Sequence, residues 1–136
     1  MSDKSQGQKP SGQPAIRVIA MPADTNPNGD IFGGWIMSHM DLAGAVIAIT
    51  EAQGRVATVA VDGMTFHKPV YVGDIVSFYS AVARIGRTSI TVKVEAWALR
   101  QRLGAEERVT EGTFTYVAIG EDRRPRPVRP PSTIQV

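Results

Sequence analysis

Residues 24–41 join a polar loop to a pair of glycines and to one carboxylate that lies seven residues beyond the second glycine. The loop contains Asn26, the glycines are Gly33 and Gly34, and Asp41 lies in a mostly apolar run. Backbone amides at the start of a helix can polarise an oxygen atom. A carboxylate among apolar neighbours is costly and therefore often functional, here as an acceptor of a proton from water. The combination predicts chemistry on a carbonyl group.

Each of these residues also has a purely structural interpretation. Asp41 could pair with a partner inside an oligomer, and the two glycines could simply let a tight loop enter a helix. Asn26 precedes a proline, so it could orient a water molecule or only stabilise a turn. Ser38 lies one helical turn before Asp41, where its hydroxyl could hydrogen-bond the carboxylate.

The spacing of these groups predicts that the site is shared between two chains. At a rise of about 1.5 Å per residue, Asp41 lies roughly 10 Å beyond Gly34 along the helix axis. One reacting carbonyl cannot touch both ends of that span within one chain. We therefore expect Gly34 of one protomer to work with Asp41 of its two-fold mate.

Composition is that of an ordinary globular chain of 136 residues, of which 43% are hydrophobic and 21% charged. The absence of cysteine excludes disulfides and a thiolate nucleophile, and two histidines without clustered spacing argue against a metal site. No Gly-x-Ser-x-Gly motif is present.

The basic excess lies in the two ends of the chain, since residues 16–119 carry nine basic and ten acidic side chains, so no nucleic-acid partner is expected. Without a membrane-spanning run or a signal peptide, we expect a cytoplasmic protein with no membrane partner.

The chain divides into three parts. Residues 1–15 are rich in glycine, serine, glutamine and proline and are predicted to be a disordered tail. Residues 16–119 are the predicted domain, and residues 120–136 form a Pro/Arg-rich C-terminal tail expected to be extended and partly mobile.

The domain is predicted to be α+β, with one long helix followed by antiparallel strands. The helix runs from Gly33 or Gly34 to about Gln53, with Gly54 as its stop, and it is apolar on most sides. Only a sheet that wraps the helix can cover those sides. The predicted strands are residues 15–21, 56–62 continuing through 64–70 after an irregularity at Gly63, 75–84, 88–99 and 108–119. Exposed sheet edges and any apolar rim left on the helix indicate an oligomer.

The run over residues 21–41 resembles the signature of hotdog-fold acyl-CoA thioesterases of the YciA-like branch. The likeness continues through Gly44-Ala45, residues 63–66, Lys68-Pro69 and residues 72–74, and more weakly through residues 86–89. It covers about residues 16–119. The resemblance implies a five-stranded antiparallel sheet wrapped round one central helix. It also implies a dimer with one continuous sheet, often assembled into trimers of dimers.

The resemblance also implies hydrolysis of CoA thioesters without a metal or other cofactor. Its essential pair corresponds to Asn26 and Asp41, and the thioester oxygen is bound at the glycine-rich helix start, Gly33-Gly34. The CoA phosphates need basic partners. Candidates for contact with the substrate are Ser38, Lys68, Arg84, Arg87, Thr88, Ser89 and the arginines of the C-terminal tail.

Three functions are consistent with these residues and with the resemblance, and all three remain open at this point. The first is an acyl-CoA hydrolase in which Asp41 activates water as a general base, or attacks as a nucleophile through an anhydride. The second is a hotdog-fold enoyl-CoA hydratase or dehydratase, which usually needs a histidine beside the acid. His39 lies about 200° round the helix from Asp41 and is therefore interpreted as structural or interfacial. The third is a non-catalytic acyl-CoA-binding protein.

Overall fold

The computed structural model describes residues 7–100 and 104–129, and these form one sheet wrapped round one long helix. The predicted disorder of residues 1–6 and mobility of residues 130–136 lie outside the described residues. In chain order the elements are β1 (Ile16–Ile19), a short 3₁₀ helix (Pro22–Asp24), α1 (Gly33–Ala52), β2 (Val56–Phe66), β3 (Ile75–Ile85), β4 (Ser89–Leu99) and β5 (Glu106–Ala118).

The five strands pair antiparallel in the order β1-β3-β4-β5-β2, so β1 and β2 are the two edges. The central strand β4 alternates between its two faces, and Ile90, Val92, Val94 and Ala96 are all fully buried on the helix side. The irregularity predicted at Gly63 is confirmed. The β2–β5 register shifts between Asp62 and Thr65, and Gly63 has a φ of 60° that favours glycine.

Helix α1 buries one face against the sheet and leaves an apolar stripe on the opposite face. Ile36, Met40 and Ala48 belong to the buried face, whose members recur every three or four residues. The stripe on the other side consists of Leu42, Val46 and Ile49, with 54%, 49% and 47% of their surfaces exposed. The sheet therefore covers only part of the helix. The remaining apolar stripe can pack against a second chain.

The end of the helix differs from the sequence expectation. Gln53, rather than Gly54, adopts the left-handed conformation that stops the helix, with a φ of 50°. Gly54 is needed for a different reason, because a Cβ there would lie 2.6 Å from Nη2 of Arg126. That guanidinium donates to the carbonyl oxygen of Ala52 at 2.9 Å and so satisfies one of the helix's last acceptors.

The first part of the C-terminal tail packs against the domain. The amide of Arg126 donates to the carbonyl of Ala118, and the amide of Val128 donates to the carbonyl of Arg87. Val128 is almost fully buried. Residues 120–129 thus form a strap that links the helix end to the β3–β4 turn. At the other end of the chain, Lys9 pairs with Glu106 at 2.7 Å.

Candidate active site

A cavity of about 340 Å³ lies at the start of α1, between the residues 26–31 loop and the end of β2. Its lining is Asn26, Asp30, Ile31, Gly33, Ile36, Phe66, His67, Lys68, Pro69 and Val70. The wall is mainly apolar, with an amide, a glycine backbone and a few charged groups at one side. This is the usual composition of a site for a small organic ligand. The structure therefore brings together Asn26, Gly33 and Lys68 of the predicted residues.

Asn26 is fixed by the loop that it organises. Its Oδ1 accepts hydrogen bonds from the amides of Asn28 at 2.8 Å and Asp30 at 3.1 Å. The backbone of Asn26 also pairs with that of Asp30, at 2.6 Å. Asn26 thus stabilises this turn, which is one of the two roles considered for it. These bonds engage only the carbonyl oxygen, so within the described residues the side-chain NH₂ group remains a donor beside the cavity that Asn26 lines.

The first turn of α1 presents backbone amides without a side-chain cap. The N-cap residue is Phe32, whose side chain cannot accept a hydrogen bond, and no side-chain cap is seen here within residues 7–100 and 104–129. A Cβ on Gly34 would meet no atom within 4 Å, and Gly34 lies outside the left-handed region. Nothing within the described part of the chain therefore requires a glycine at this position. A ligand or a second chain that approaches the backbone closely would require it.

Asp41 is held by two hydroxyl groups from the sheet. The Oγ1 of Thr58 donates to Oδ1 of Asp41 at 2.7 Å, and the phenol of Tyr116 lies 3.1 Å from the same oxygen. Within one chain Asp41 is only partly buried, although it lies in a mostly apolar run of the sequence. The hydrogen bond considered from Ser38 does not form, and Ser38 is exposed. The carboxylate thus lies at the rim of the helix, open on the side away from the sheet.

The sequence reasoning missed Thr58 and Tyr116. They are direct register partners on β2 and β5, so both side chains project toward the helix at the same level as Asp41. Only the strand pairing brings together residues that lie 17 and 75 positions from Asp41. An alternating pattern in each strand signals which residues face the helix, but it does not give the register.

The remaining predicted contacts lie at two separate places. Lys68 lines the cavity at the helix start and donates to Glu107 at 3.0 Å. Arg87 lies in the β3–β4 turn, beside Thr88 and Ser89, and lines a different cavity of about 370 Å³ together with Arg129 of the C-terminal strap. Arg84 is exposed on β3. Within one chain, Lys68 lines the cavity that contains Asn26, whereas Arg84 and Arg87 do not.

The two histidines differ in their surroundings. His39 packs against the rings of Trp35 and Phe78, and its Nδ1–H donates to the carbonyl of Trp35 at 2.9 Å, so the structural interpretation of His39 is supported. His67 lies just beyond β2 and lines the cavity, with its Nε2 bonded to Glu111 at 2.7 Å. Partial burial pushes the pKa of Glu111 up, but the bond from His67 and the nearby cations outweigh it and lower the pKa overall.

Residues 7–100 and 104–129 contain no group of three or more metal-ligating side chains. In the same ranges, no helix is long and apolar enough to cross a membrane.

The wrapped helix and the cavity at its glycine-rich start define a hotdog-fold thioesterase domain, and residues 28–105 match the thioesterase superfamily. The chain is 49% identical to the acyl-CoA thioester hydrolase YciA of Salmonella typhimurium, over 88% of this chain and 92% of that protein. A hexameric thioesterase from Yersinia pestis superposes with a TM-score of 0.83 at 51% identity, covering 90% of this chain and all of the other. A hexameric broad specificity acyl-coenzyme A thioesterase superposes with a TM-score of 0.83 at 46% identity, covering 96% of this chain and 89% of the other. The chain belongs to the thioesterase superfamily, among the YciA acyl-CoA thioester hydrolases.

Proposed function

We propose that the protein hydrolyses acyl-CoA thioesters to free CoA and a carboxylic acid, with Asp41 as the group that activates water. The observation that carries this proposal is the anchored Asp41 carboxylate, on the same helix as an uncapped glycine start that faces a cavity. The relatives named as acyl-CoA thioester hydrolases support the choice of substrate class.

The reaction follows from the chemistry of the groups. The amides of Gly33 and Gly34 donate to the thioester oxygen and stabilise the negative charge that develops there, each donor contributing about 2.7–4 kcal/mol to the rate. Asp41 takes a proton from water as the water oxygen bonds to the carbonyl carbon. The carbon–sulfur bond then breaks, and the CoA sulfur leaves with a proton. The Asn26 amide orients the water or binds the thioester.

An alternative mechanism, in which Asp41 acts as a nucleophile, also balances in atoms and charge. Asp41 would attack the carbonyl carbon, CoA would leave, and water would hydrolyse the resulting anhydride. Label found in the Asp41 carboxylate after a single turnover in ¹⁸O-labelled water identifies the nucleophilic route. This route places label in the Asp41 carboxylate when water attacks on the enzyme side of the anhydride, whereas general-base catalysis places it only in the released acid.

The site is completed by a second chain in this proposal. Asp41 does not line the cavity at the helix start of its own chain, since Asp41 and the helix start are separated along α1. Among the described strands β2 pairs with β5 alone, so its outer edge is unpaired there, and Val59 and Val61 have 57% and 38% of their surfaces accessible. Pairing two β2 edges would also bring together the apolar stripes of two helices. The cavity of one protomer would then face the partner's Asp41.

Assembly beyond the dimer is proposed from the hexameric structural neighbours. The CoA phosphates are proposed to bind basic groups among Lys68, Arg84, Arg87 and the C-terminal arginines, with Thr88 and Ser89 as hydroxyl donors. Light scattering coupled to gel filtration measures the assembly. A mass near six chains supports the trimer of dimers, and a mass near two chains removes it.

The test of the function is thiol release from a panel of acyl-CoAs by the parent and by Asp41→Ala. We expect release by the parent and a loss of about 100-fold or more in the variant. A variant as fast as the parent refutes the role of Asp41. Hydration of an enoyl-CoA without thiol release would instead identify a hydratase, and tight CoA binding without release from any acyl chain would identify a binding protein.

A further inference from the structure

Tyr116 places a phenol hydroxyl against the backbone and side chain of Asp41. The side chain is buried on β5, stacked beside Phe114. Its hydroxyl lies 2.7 Å from the carbonyl oxygen of Asp41 and 3.1 Å from Oδ1 of the same residue. One proton is shared between these two acceptors. The hydroxyl is therefore tied to both the main chain and the carboxylate of one helix position.

Helix α1 is shaped to admit this hydroxyl. Gly44 lies one turn after Asp41, and a Cβ there would be 2.2 Å from the Tyr116 hydroxyl and 3.0 Å from Cζ. Glycine weakens a helix interior, so its presence in the middle of α1 is a cost that needs a local reason. The reason visible here is the close approach of Tyr116. The helix and the strand are thus matched at this one contact.

The hydrogen bonds on Asp41 are unequal between its two oxygens. Both hydroxyl donors, from Thr58 and Tyr116, reach Oδ1. Across the part of the chain that the structure describes, Oδ2 has no hydrogen-bond partner. Burial, followed by the charge and hydrogen bond of Asp41, raises the pKa of Tyr116, so the phenol remains a donor at every pH at which a hydrolase of this kind would act.

We infer that Tyr116 is a positioning residue for the reaction: admitted by Gly44, it fixes Oδ1 of Asp41 so that Oδ2 faces the reacting water or carbonyl. The inference rests on the proposed function of Asp41. A carboxylate fixed at one oxygen keeps a single rotamer, and correct orientation before reaction is a large part of catalysis. Tyr116 acts only through Asp41 and does not touch the substrate.

The competing interpretation is that the hydroxyl only stabilises the fold by satisfying the Asp41 carbonyl. The two interpretations differ in what Tyr116→Phe changes. A positioning role lowers kcat about tenfold and leaves KM within about twofold, because substrate binding is unaffected and Thr58 still holds Oδ1. A structural role lowers the melting temperature without changing kcat of the folded enzyme.

The matched control is Tyr79→Phe. Tyr79 is also a buried tyrosine, but it lies on β3 next to Phe78, which packs on the helix side, so Tyr79 projects from the opposite face of the sheet. This variant loses the same hydroxyl group away from Asp41. We expect its kcat to equal that of the parent.

The deciding measurement is a double-mutant cycle with Asp41→Asn, in which kcat is obtained from thiol release by the parent, both single variants and the double variant. If Tyr116 acts through Asp41, the double variant is as slow as Asp41→Asn alone, within about twofold. A parental kcat in Tyr116→Phe, or the same tenfold loss in both backgrounds, overturns the inference. Failure of the proposed function is seen separately, as parental activity in Asp41→Asn itself.

Gly44→Ala gives an independent check. It keeps the tyrosine but displaces its hydroxyl, so we expect kcat to fall as in Tyr116→Phe. A Gly44→Ala enzyme with parental kcat would also overturn the inference.

Discussion

Replacing Gly34 by alanine should raise stability and lower activity in the same protein. Gly34 is the second residue of α1, its backbone is not left-handed, and an added Cβ meets nothing within 4 Å. Alanine in a helix is more favourable than glycine by about 0.5–1 kcal/mol. For a domain of this size that corresponds to a rise in Tm of roughly 2–5 °C. The structure of one chain therefore gives no reason to expect that Gly34→Ala lowers the stability of the fold.

The activity should change in the opposite direction. A methyl group at Gly34 would keep the thioester oxygen away from the backbone amides at the helix start. Loss of one such donor costs about 2.7–4 kcal/mol in the transition state, or about 100- to 1000-fold in kcat/KM. Thermal unfolding measures the first effect and thiol release from an acyl-CoA measures the second.

Two companion variants make this result interpretable. At Gly33 a Cβ would lie 3.3 Å from the Phe66 ring, so Gly33→Ala should gain less stability than Gly34→Ala. Thr50→Ala raises helix propensity at an exposed site about 24 Å further along the axis, and it should keep parental activity. Parental activity in Gly34→Ala would refute the proposed role of these amides. A loss of stability would show instead that Gly34 packs against another chain.

Further outcomes follow from the same contacts. Mixing Asp41→Ala and Asn26→Ala chains in equal amounts should restore about a quarter of parental thiol release if each site takes one group from each chain, and none if both come from one chain. Gly44→Ala should lower the free energy of unfolding by about 1–3 kcal/mol in urea titrations, and adding Tyr116→Phe should recover part of that loss. Arg126→Ala should lower the free energy of unfolding by about 1–3 kcal/mol in urea titrations, because the last helix carbonyl loses its hydrogen-bond donor. The raised pKa of Tyr116 means that the native state retains a proton that the unfolded chain loses above about pH 10. That stabilisation is complete below pH 10 and is lost as pH rises, so the unfolding free energy between pH 10 and 11 should fall more steeply in the parent than in Tyr116→Phe.

Much of the fold could be predicted because its signals are local. The double glycine and the long apolar run predicted a helix that the structure places at Gly33–Ala52, and alternation in β4 predicted its buried face. The stop of the helix was assigned to Gly54, whereas Gln53 takes the left-handed conformation. A left-handed residue at a helix end is usually glycine, but here glycine is needed at the next position, where the side chain of Arg126 lies. The contact between Arg126 and the helix end joins residues 74 positions apart.

The residues of the candidate site likewise fall into those that the sequence indicates and those that only the structure reveals. Asn26, Gly33 and Asp41 stand out because their types and spacing are visible along one short segment. Thr58 and Tyr116 do not, because threonine and tyrosine are common strand residues and only the register makes them neighbours of Asp41.

The sequence alone predicted that one apolar helix is wrapped by a sheet, and helix rise led to the proposal that its glycine-rich start and its carboxylate are too far apart to serve one carbonyl in one chain. Periodicity and helix rise are properties of consecutive residues, so these conclusions need no partner. Only the tertiary structure decided which oxygen of Asp41 is anchored, and by which hydroxyls. That choice depends on strand register and on the space left by Gly44, where residues distant in the chain meet.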